Sequence, residues 1–259
     1  MRNAEFNDAR LVEVYDAECP WSRDDDYFCA LVDERGPSDV LDFGCGTGRL
    51  ALGMTSRGHD VTGVDPAAAS LEAARKKPGA DHITWLLGST EVLPAASFDV
   101  VTMTSHVAQF FVGDEAWATC LAGLHRALRP GGRLLFDSRD PDDRRWERWN
   151  PVDSARHVTL PNGDVVRVST EVTDVAGEDV SFAIHYGFPD GTELVSEATL
   201  AFRSEQKVRA SLEAAGFTVD HVFGGWGREP VGHPDGELLV VATASSTVRR
   251  PPTRRPASS

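Results

Sequence analysis

Long apolar runs are missing from this 259-residue chain: nothing approaches the ~18 to 20 consecutive apolar residues that a membrane-crossing helix needs, and the opening stretch "MRNAEFNDAR" has no apolar signal core. The expectation is a cytoplasmic protein without a membrane partner. Cysteine is scarce. Cys19, Cys29, Cys45 and Cys120 lie scattered, with neither CxxC spacing nor companion histidines at ligand distance, so no metal site is expected. Basic residues are outnumbered, 26 Lys and Arg against 40 Asp and Glu, for a net charge of −14; setting aside the four arginines of "STVRRPPTRRPASS" (246–259) leaves the body at −18. Such a body repels phosphate backbones, which argues against nucleic acid as a partner. The tail itself reads as disordered, with a basic docking arm as the rival reading. No internal repeat is present.

A hydrophobic content of 41% supports a sizeable core. Between residues 36 and 139, short β-rich runs alternate with helical ones, the pattern of βαβ units around a parallel sheet. Strands are expected at 39–43, "DVTGVD", "HITWLLG", "SFDVVTMTS" and "RLLFDS". Helices are expected at 47–57, after Pro66, and through "DEAWATCLAGLHRALRPGG" to a Pro-Gly-Gly turn. From Arg156 to Phe202 the period becomes two: Val166, Val168, Thr170 and Val172 share a face, as do Val180, Phe182, Ile184, Tyr186 and Phe188. With turns at "PNGD" and "FPDGT", this is an inserted antiparallel meander of three or four strands, with Tyr186 inward and His185 outward. A helix capped by Ser204 and two further strands return the chain to α/β.

The stretch "LDFGCGTGRL" (41–50) places glycines at every second position in a strand-to-helix turn, where a ligand can lie against bare backbone. A dinucleotide fingerprint would need a third glycine where Arg49 stands. An acid leading the turn, Asp42, suits a cationic ligand, and Asp65, 17 residues after Gly48, ends the second strand where a carboxylate can accept ribose hydroxyls. Together "VLDFGCGTG", "VTGVD", "FDVVTMTS" and "LRPGGRLLFD" resemble the class I S-adenosylmethionine-dependent methyltransferases of small-molecule type, over roughly residues 36–138 and 204–243.

The resemblance implies a Rossmann-like, doubly wound α/β sheet of seven strands, mostly parallel with the last antiparallel. Its expected organisation is a helical cap (1–35), a cofactor domain (36–139 and 204–244), an inserted β lobe (140–203) and the tail (245–259). The implied cofactor is S-adenosylmethionine, leaving as S-adenosylhomocysteine. Asp42, Gly44, Gly46 and Gly48 would cradle its methionine portion and Asp65, followed by Pro66, its ribose. Ser89, where many relatives carry Asp, would meet the adenine together with the backbone of Thr90. Tyr15 would cap the sulfonium, and Ser105 would face the methyl group. Methyl transfer needs alignment and exclusion of water, and in places removal of a proton. His106, beyond the fourth strand, is the candidate base. Trp21, Arg139, Trp146, Tyr186 and Trp226 are the candidate substrate contacts, with Arg144, Trp149 and Arg228 beside them.

The acceptor is expected to be an N or O atom of a small molecule, a specialised metabolite among the candidates, and the protein a monomer or homodimer. "TSHV" stands where amino-directed nucleic-acid members often carry "NPPY". Two rival readings are an idle relative that binds cofactor or pairs through the meander's open edge, and a nicotinamide-dependent oxidoreductase, which Arg49 and Asp42 oppose.

Overall fold

A computed structural model describes residues 1–245; the arginine-rich tail beyond them lies outside the described residues. Three helices, α1 (Ala4–Asn7), α2 (Ala9–Glu18) and α3 (Arg23–Asp33), precede the alternating segment: β1 (Asp39–Phe43), α4 (Arg49–Ser56), β2 (Asp60–Asp65), α5 (Ala68–Arg75), β3 (Thr84–Leu87), β4 (Phe98–Met103), α6 (Asp114–Ala127) and β5 (Leu128–Arg139). The lobe contributes β6 (Arg156–Thr159), β7 (Val165–Ala176), β8 (Asp179–Gly187) and β9 (Glu193–Ala201). Then come α7 (Glu205–Ala214), β10 (Phe217–Phe223) and β11 (Glu237–Ala244).

The main sheet has seven strands in the order β10-β11-β5-β4-β1-β2-β3, and β11 alone runs antiparallel to its neighbours. Helices cover both faces, which is why β11 reads as a continuous apolar run over residues 238–242 instead of alternating. Leu41, Phe43, Met103, Leu121, Leu124 and Phe136 fill one side, while Phe28, Val32, Val40, Met54 and Leu135 fill the other. α6 stops at Ala127, earlier than its sequence pattern suggests. Pro130-Gly131-Gly132 lies inside β5 at a register shift against β4, and Gly131 takes the positive φ that this needs.

The second sheet is the expected meander, four strands in the order β6-β7-β8-β9. Val166, Val168, Tyr186 and Phe188 point inward against Ala4, Leu11 and Val14 of the N-terminal helices. The β9 edge, which could have paired with another copy, is taken by the chain's own start: Asn3 N–H donates to the Glu197 carbonyl (2.8 Å) and Glu197 N–H to that of Met1 (2.9 Å). Glu5, buried beneath this contact, accepts the Ser196 hydroxyl. At the base of the lobe Phe202 joins β9 to the connector, its ring 4.5 Å from Trp146 and 6.0 Å from Trp149. Among the described residues no helix is long and apolar enough to cross a membrane.

Phe202→Ala empties this joint, and it is expected to destabilise the protein by about 3 to 5 kcal/mol. A urea midpoint unchanged from wild type would show that the joint contributes nothing to folding.

Candidate functional site

The carboxyl ends of β1, β2 and β4 open on a cavity of about 480 Å³, a size ordinary for a small-molecule site. Its floor is the glycine turn. Gly44 and Gly46 both have positive φ (77° and 52°), and each is glycine for a different reason. A Cβ at Gly44 would lie 2.6 Å from the side chain of Val107, whereas one at Gly46 would meet nothing within 4 Å. The first permits tight packing of the protein on itself; the second leaves backbone open to a ligand. Asp65 sets the turn, its carboxylate accepting the N–H of Gly46 (2.8 Å) and of Ala67 (2.8 Å). Burial raises the Asp65 carboxyl above its usual range, against the lowering effect of those two bonds. Asp42 is 2% exposed, accepts the Thr102 hydroxyl at 3.0 Å, and is pushed by burial up to about 7.

The N-terminal helices form the opposite wall, with Asn3, Phe6, Asn7, Tyr15 and Cys19 on the cavity. They are fastened to the turn by polar groups. Asp16 accepts from the Thr47 hydroxyl and from Lys77 Nζ (2.8 Å). Arg49 donates to the carbonyls of Cys19 (2.9 Å) and Pro20 (2.7 Å) and pairs with Asp25 at 3.1 Å.

The third wall is the turn after β4, where Thr104, Ser105, Val107, Phe110 and Phe111 line the cavity. Ser105 and His106 are consecutive non-glycine residues in the left-handed region (φ 57° and 62°), at roughly 1 to 2 kcal/mol each. Phe6 packs edge-on against Tyr15 (5.4 Å) and Phe110 (5.6 Å), so rings from three elements meet at one place on the cavity.

Several expected contacts lie elsewhere. The His106 ring is absent from the cavity wall: its Nε2 sits 2.9 Å from Glu237 and 3.4 Å from Asp137. Burial is the largest influence on all three groups, lowering the imidazole and raising both carboxyls, Glu237 to about 7. A general base facing the methyl group is therefore not what this geometry provides. Gly48 packs on Trp85 beneath the turn, and Thr90 packs on Gly123. Trp21 is 42% exposed over Gly53, with its Nε1 donating to Asp26. Trp226 packs against Tyr27 and Phe28 under the far side of the sheet. Tyr186 and Trp146 fill cores of the lobe, and Arg139 donates to Gln109 (2.8 Å) while its guanidinium lies over Trp149. None of these eight lines the cavity, whereas Tyr15, Asp42, Gly44, Gly46, Asp65, Pro66, Ser89 and Ser105 all do. Asn3, Phe6, Thr47, Arg49 and Phe110 escaped the sequence reading; of these, only Thr47 and Arg49 carried a signal, their place in the glycine turn.

A family profile described as a methyltransferase domain matches residues 40–132. The chain is similar to the cypemycin N-terminal methyltransferase of a Streptomyces species, 31% identical over 93% of this chain and 98% of that protein. It is also similar to the malonyl-[acyl-carrier protein] O-methyltransferase of Serratia marcescens, 34% identical, although here the match covers only 58% of each. Among solved structures, the CcbJ methyltransferase of Streptomyces caelestis superimposes with a TM-score of 0.76 at 18% identity, covering 95% of this chain and 99% of that one. CalS10, an amino pentose methyltransferase from Micromonospora echinaspora, gives 0.66 at 23%, covering 91% and 97%.

The raised carboxyl of Asp42 carries a sign that can be checked. The folded state holds its proton where the unfolded chain, near 3.8, has lost it, so stability falls as pH rises from about 4 through about 7. Asp42→Asn is expected to stabilise the protein at pH 8 by about 2 to 4 kcal/mol, at 1.36 kcal/mol per pKa unit, and to have little effect at pH 4. Urea midpoints at the two pH values measure this; equal shifts at both would refute it.

Proposed function

The chain belongs to the class I S-adenosylmethionine-dependent methyltransferases, and from that premise we propose that it methylates an amine nitrogen on a small acceptor of natural-product type, the terminal amine of a peptide being the leading candidate. One observation carries the amine: the ring cluster of Phe6, Tyr15 and Phe110 on the cavity wall. Ring faces stabilise a cation held against them, and an amine becomes an ammonium as it takes up a methyl group. The full-length similarity to a protein named for N-terminal methylation supports the same atom. The net charge of −14 favours approach of a cationic acceptor.

The cavity fits the cofactor by its own chemistry: bare backbone at Gly46, and two buried carboxylates, Asp42 and Asp65, that burial has left short of countercharge. Asp42 and the 44–47 backbone would hold the methionine portion, Asp65 the ribose, and Ser89 the adenine end. When bound, S-adenosylmethionine supplies a methyl carbon on a sulfonium, open to displacement by a lone pair. The protein's share is alignment. Ser105 and Thr104 bound the acceptor side, Tyr15 and Phe6 shut out water from the N-terminal wall, and Phe110 meets the growing charge. Burial raises the Tyr15 hydroxyl well above the usual tyrosine range, so it stays protonated and can donate but not act as a base.

The test is formation of S-adenosylhomocysteine on a panel of short peptides with free α-amines, an amino sugar and a malonyl thioester. Turnover is expected on amines, with methyl found on nitrogen by mass spectrometry; a methyl ester as the sole product would reject the proposal. Phe110→Ala is expected to lower kcat/KM by about 5- to 30-fold, as loss of 1 to 2 kcal/mol of ring–cation stabilisation requires. Asp42→Asn is expected to weaken S-adenosylmethionine binding by at least about tenfold, a charged hydrogen bond being worth roughly 1.5 to 3 kcal/mol.

A further inference from the structure

The geometry points to Asp137 and Glu237 as positioning residues for methyl transfer: through His106 they hold the turn after β4 in a left-handed backbone that sets Ser105 and Val107 against the glycine turn. The inference rests on the cofactor cleft and not on the identity of the acceptor.

The turn is tightly specified and intrinsically unfavourable. Two adjacent residues with a Cβ, Ser105 and His106, both take positive φ, an uncommon backbone for residues other than glycine. Val107 then projects into the space that only a glycine at position 44 leaves free, 2.6 Å from where a Cβ would stand. A turn relaxed to a right-handed backbone would lift Val107 from Gly44 and move Thr104 and Ser105, which bound the cavity. Some interaction must therefore outweigh the strain.

The buried carboxylates supply it. Asp137, on β5 and 1% exposed, receives the His106 backbone N–H between its two oxygens, at 3.1 and 3.2 Å, and its Oδ2 lies 3.4 Å from the ring Nε2. Glu237, 3% exposed at the start of β11, places one oxygen 2.9 Å from the same Nε2. Its other oxygen accepts from Arg145 at 3.3 Å, and Arg145 donates in turn to the Asp235 carbonyl. Glu237 stands opposite Arg139 across the β11–β5 pairing, so the anchor is part of the sheet. Arg145 belongs to the connector that leads into the lobe, so lobe and turn share one carboxylate. Farther along, Arg203 donates to the carbonyls of Ala108, Phe111 and Gly113, holding the turn's remaining length from beneath. The His106 ring does not reach the cavity; its effect passes through its own backbone.

A merely stabilising network would lower the unfolding temperature when cut, independently of the backbone at position 106. A positioning network gives a different signature, a coupling between the carboxylate and the left-handed backbone. The probe is calorimetric binding of S-adenosylhomocysteine, with thermal unfolding followed in parallel. Asp137→Asn and Glu237→Gln are each expected to weaken binding by about tenfold or more at temperatures where the variants remain folded. In the His106→Gly background, where positive φ carries no steric penalty, the further loss caused by Asp137→Asn should shrink to within about threefold. His106→Asn, which tolerates the left-handed region, should bind more tightly than His106→Val, which does not. Equal losses from Asp137→Asn in both backgrounds would overturn the proposal, as would unchanged affinity in folded Asp137→Asn and Glu237→Gln. Should Asp137→Asn fail to fold, the comparison of His106→Asn with His106→Val decides it, equal affinities overturning the proposal. An intact coupling with no amine turned over by the wild type would reject the acceptor assignment alone.

Discussion

Each oxygen of the Asp65 carboxylate accepts one backbone N–H, from Gly46 and from Ala67, and those two bonds fix the strand-to-helix turn against which every other wall of the cleft is built. Because the turn is held, Gly44 stays where Val107 can close on it, and because Val107 closes there, the chain after β4 must pass through a left-handed backbone. The N-terminal helices depend on the same turn, since Thr47 and Arg49 are the groups that bind Asp16, Asp25 and the carbonyls of Cys19 and Pro20. A carboxylate read from the sequence as a ligand contact is thus first a structural one. The two roles are compatible, since a carboxylate has roughly four lone-pair sites and the backbone occupies one on each oxygen.

The cap divides its surface between two partners. Ala4, Leu11 and Val14 of α1 and α2 are buried with the meander, Phe28 and Val32 of α3 are buried under the sheet, and the polar attachments go to the glycine turn. Burial of apolar area is the larger and less directional of the two contributions, so packing holds the cap to both lobe and sheet, and hydrogen bonds set its register on the glycine turn. Phe202, Trp146 and Trp149 pack the connector on the lobe, with Phe110 of the turn after β4 against the same cluster, and Arg145 ties the connector to Glu237.

Much of the fold could be read from pattern, because its strands are of two clearly different kinds. The parallel strands are short β-rich runs separated by helical segments, and the meander alternates with period two; the inward face of Val166, Val168, Tyr186 and Phe188 follows directly. The end of α6 was not legible, since Pro-Gly-Gly signals a turn while the β4 pairing draws Leu128 onward into a strand. On the site, the floor was legible and the walls were not. Glycines spaced by two and acids at strand ends are local consequences of a ligand meeting backbone. The direction of a side chain on a loop is not local: His106 turns away from the cleft because its backbone is left-handed and two carboxylates lie behind it, and those come from residues 31 and 131 positions later. Trp146, Trp226 and Tyr186 suggested substrate contacts for being aromatic, but large rings serve the core more often, and here they do. Phe6 and Phe110, which do reach the cavity, sit in segments with no distinguishing period.

What remains is why this site should tolerate so much buried acid. Asp42 and Asp65 on the floor, and Asp137 and Glu237 behind the acceptor wall, are all raised by burial above their ordinary range. Such groups destabilise a folded protein once pH exceeds their unfolded values, so packing alone would have replaced them with amides or apolar side chains. Those behind the wall are compensated from within, by the charges of Arg139 and Arg145. Those on the floor receive only neutral donors, Thr102 and the backbone N–H groups of Gly46 and Ala67. Both floor carboxyls line the cavity, where a bound cationic group would supply the missing sign. A cation bound there would recover the stability lost by burying the floor carboxylates, since binding to the folded state alone stabilises it.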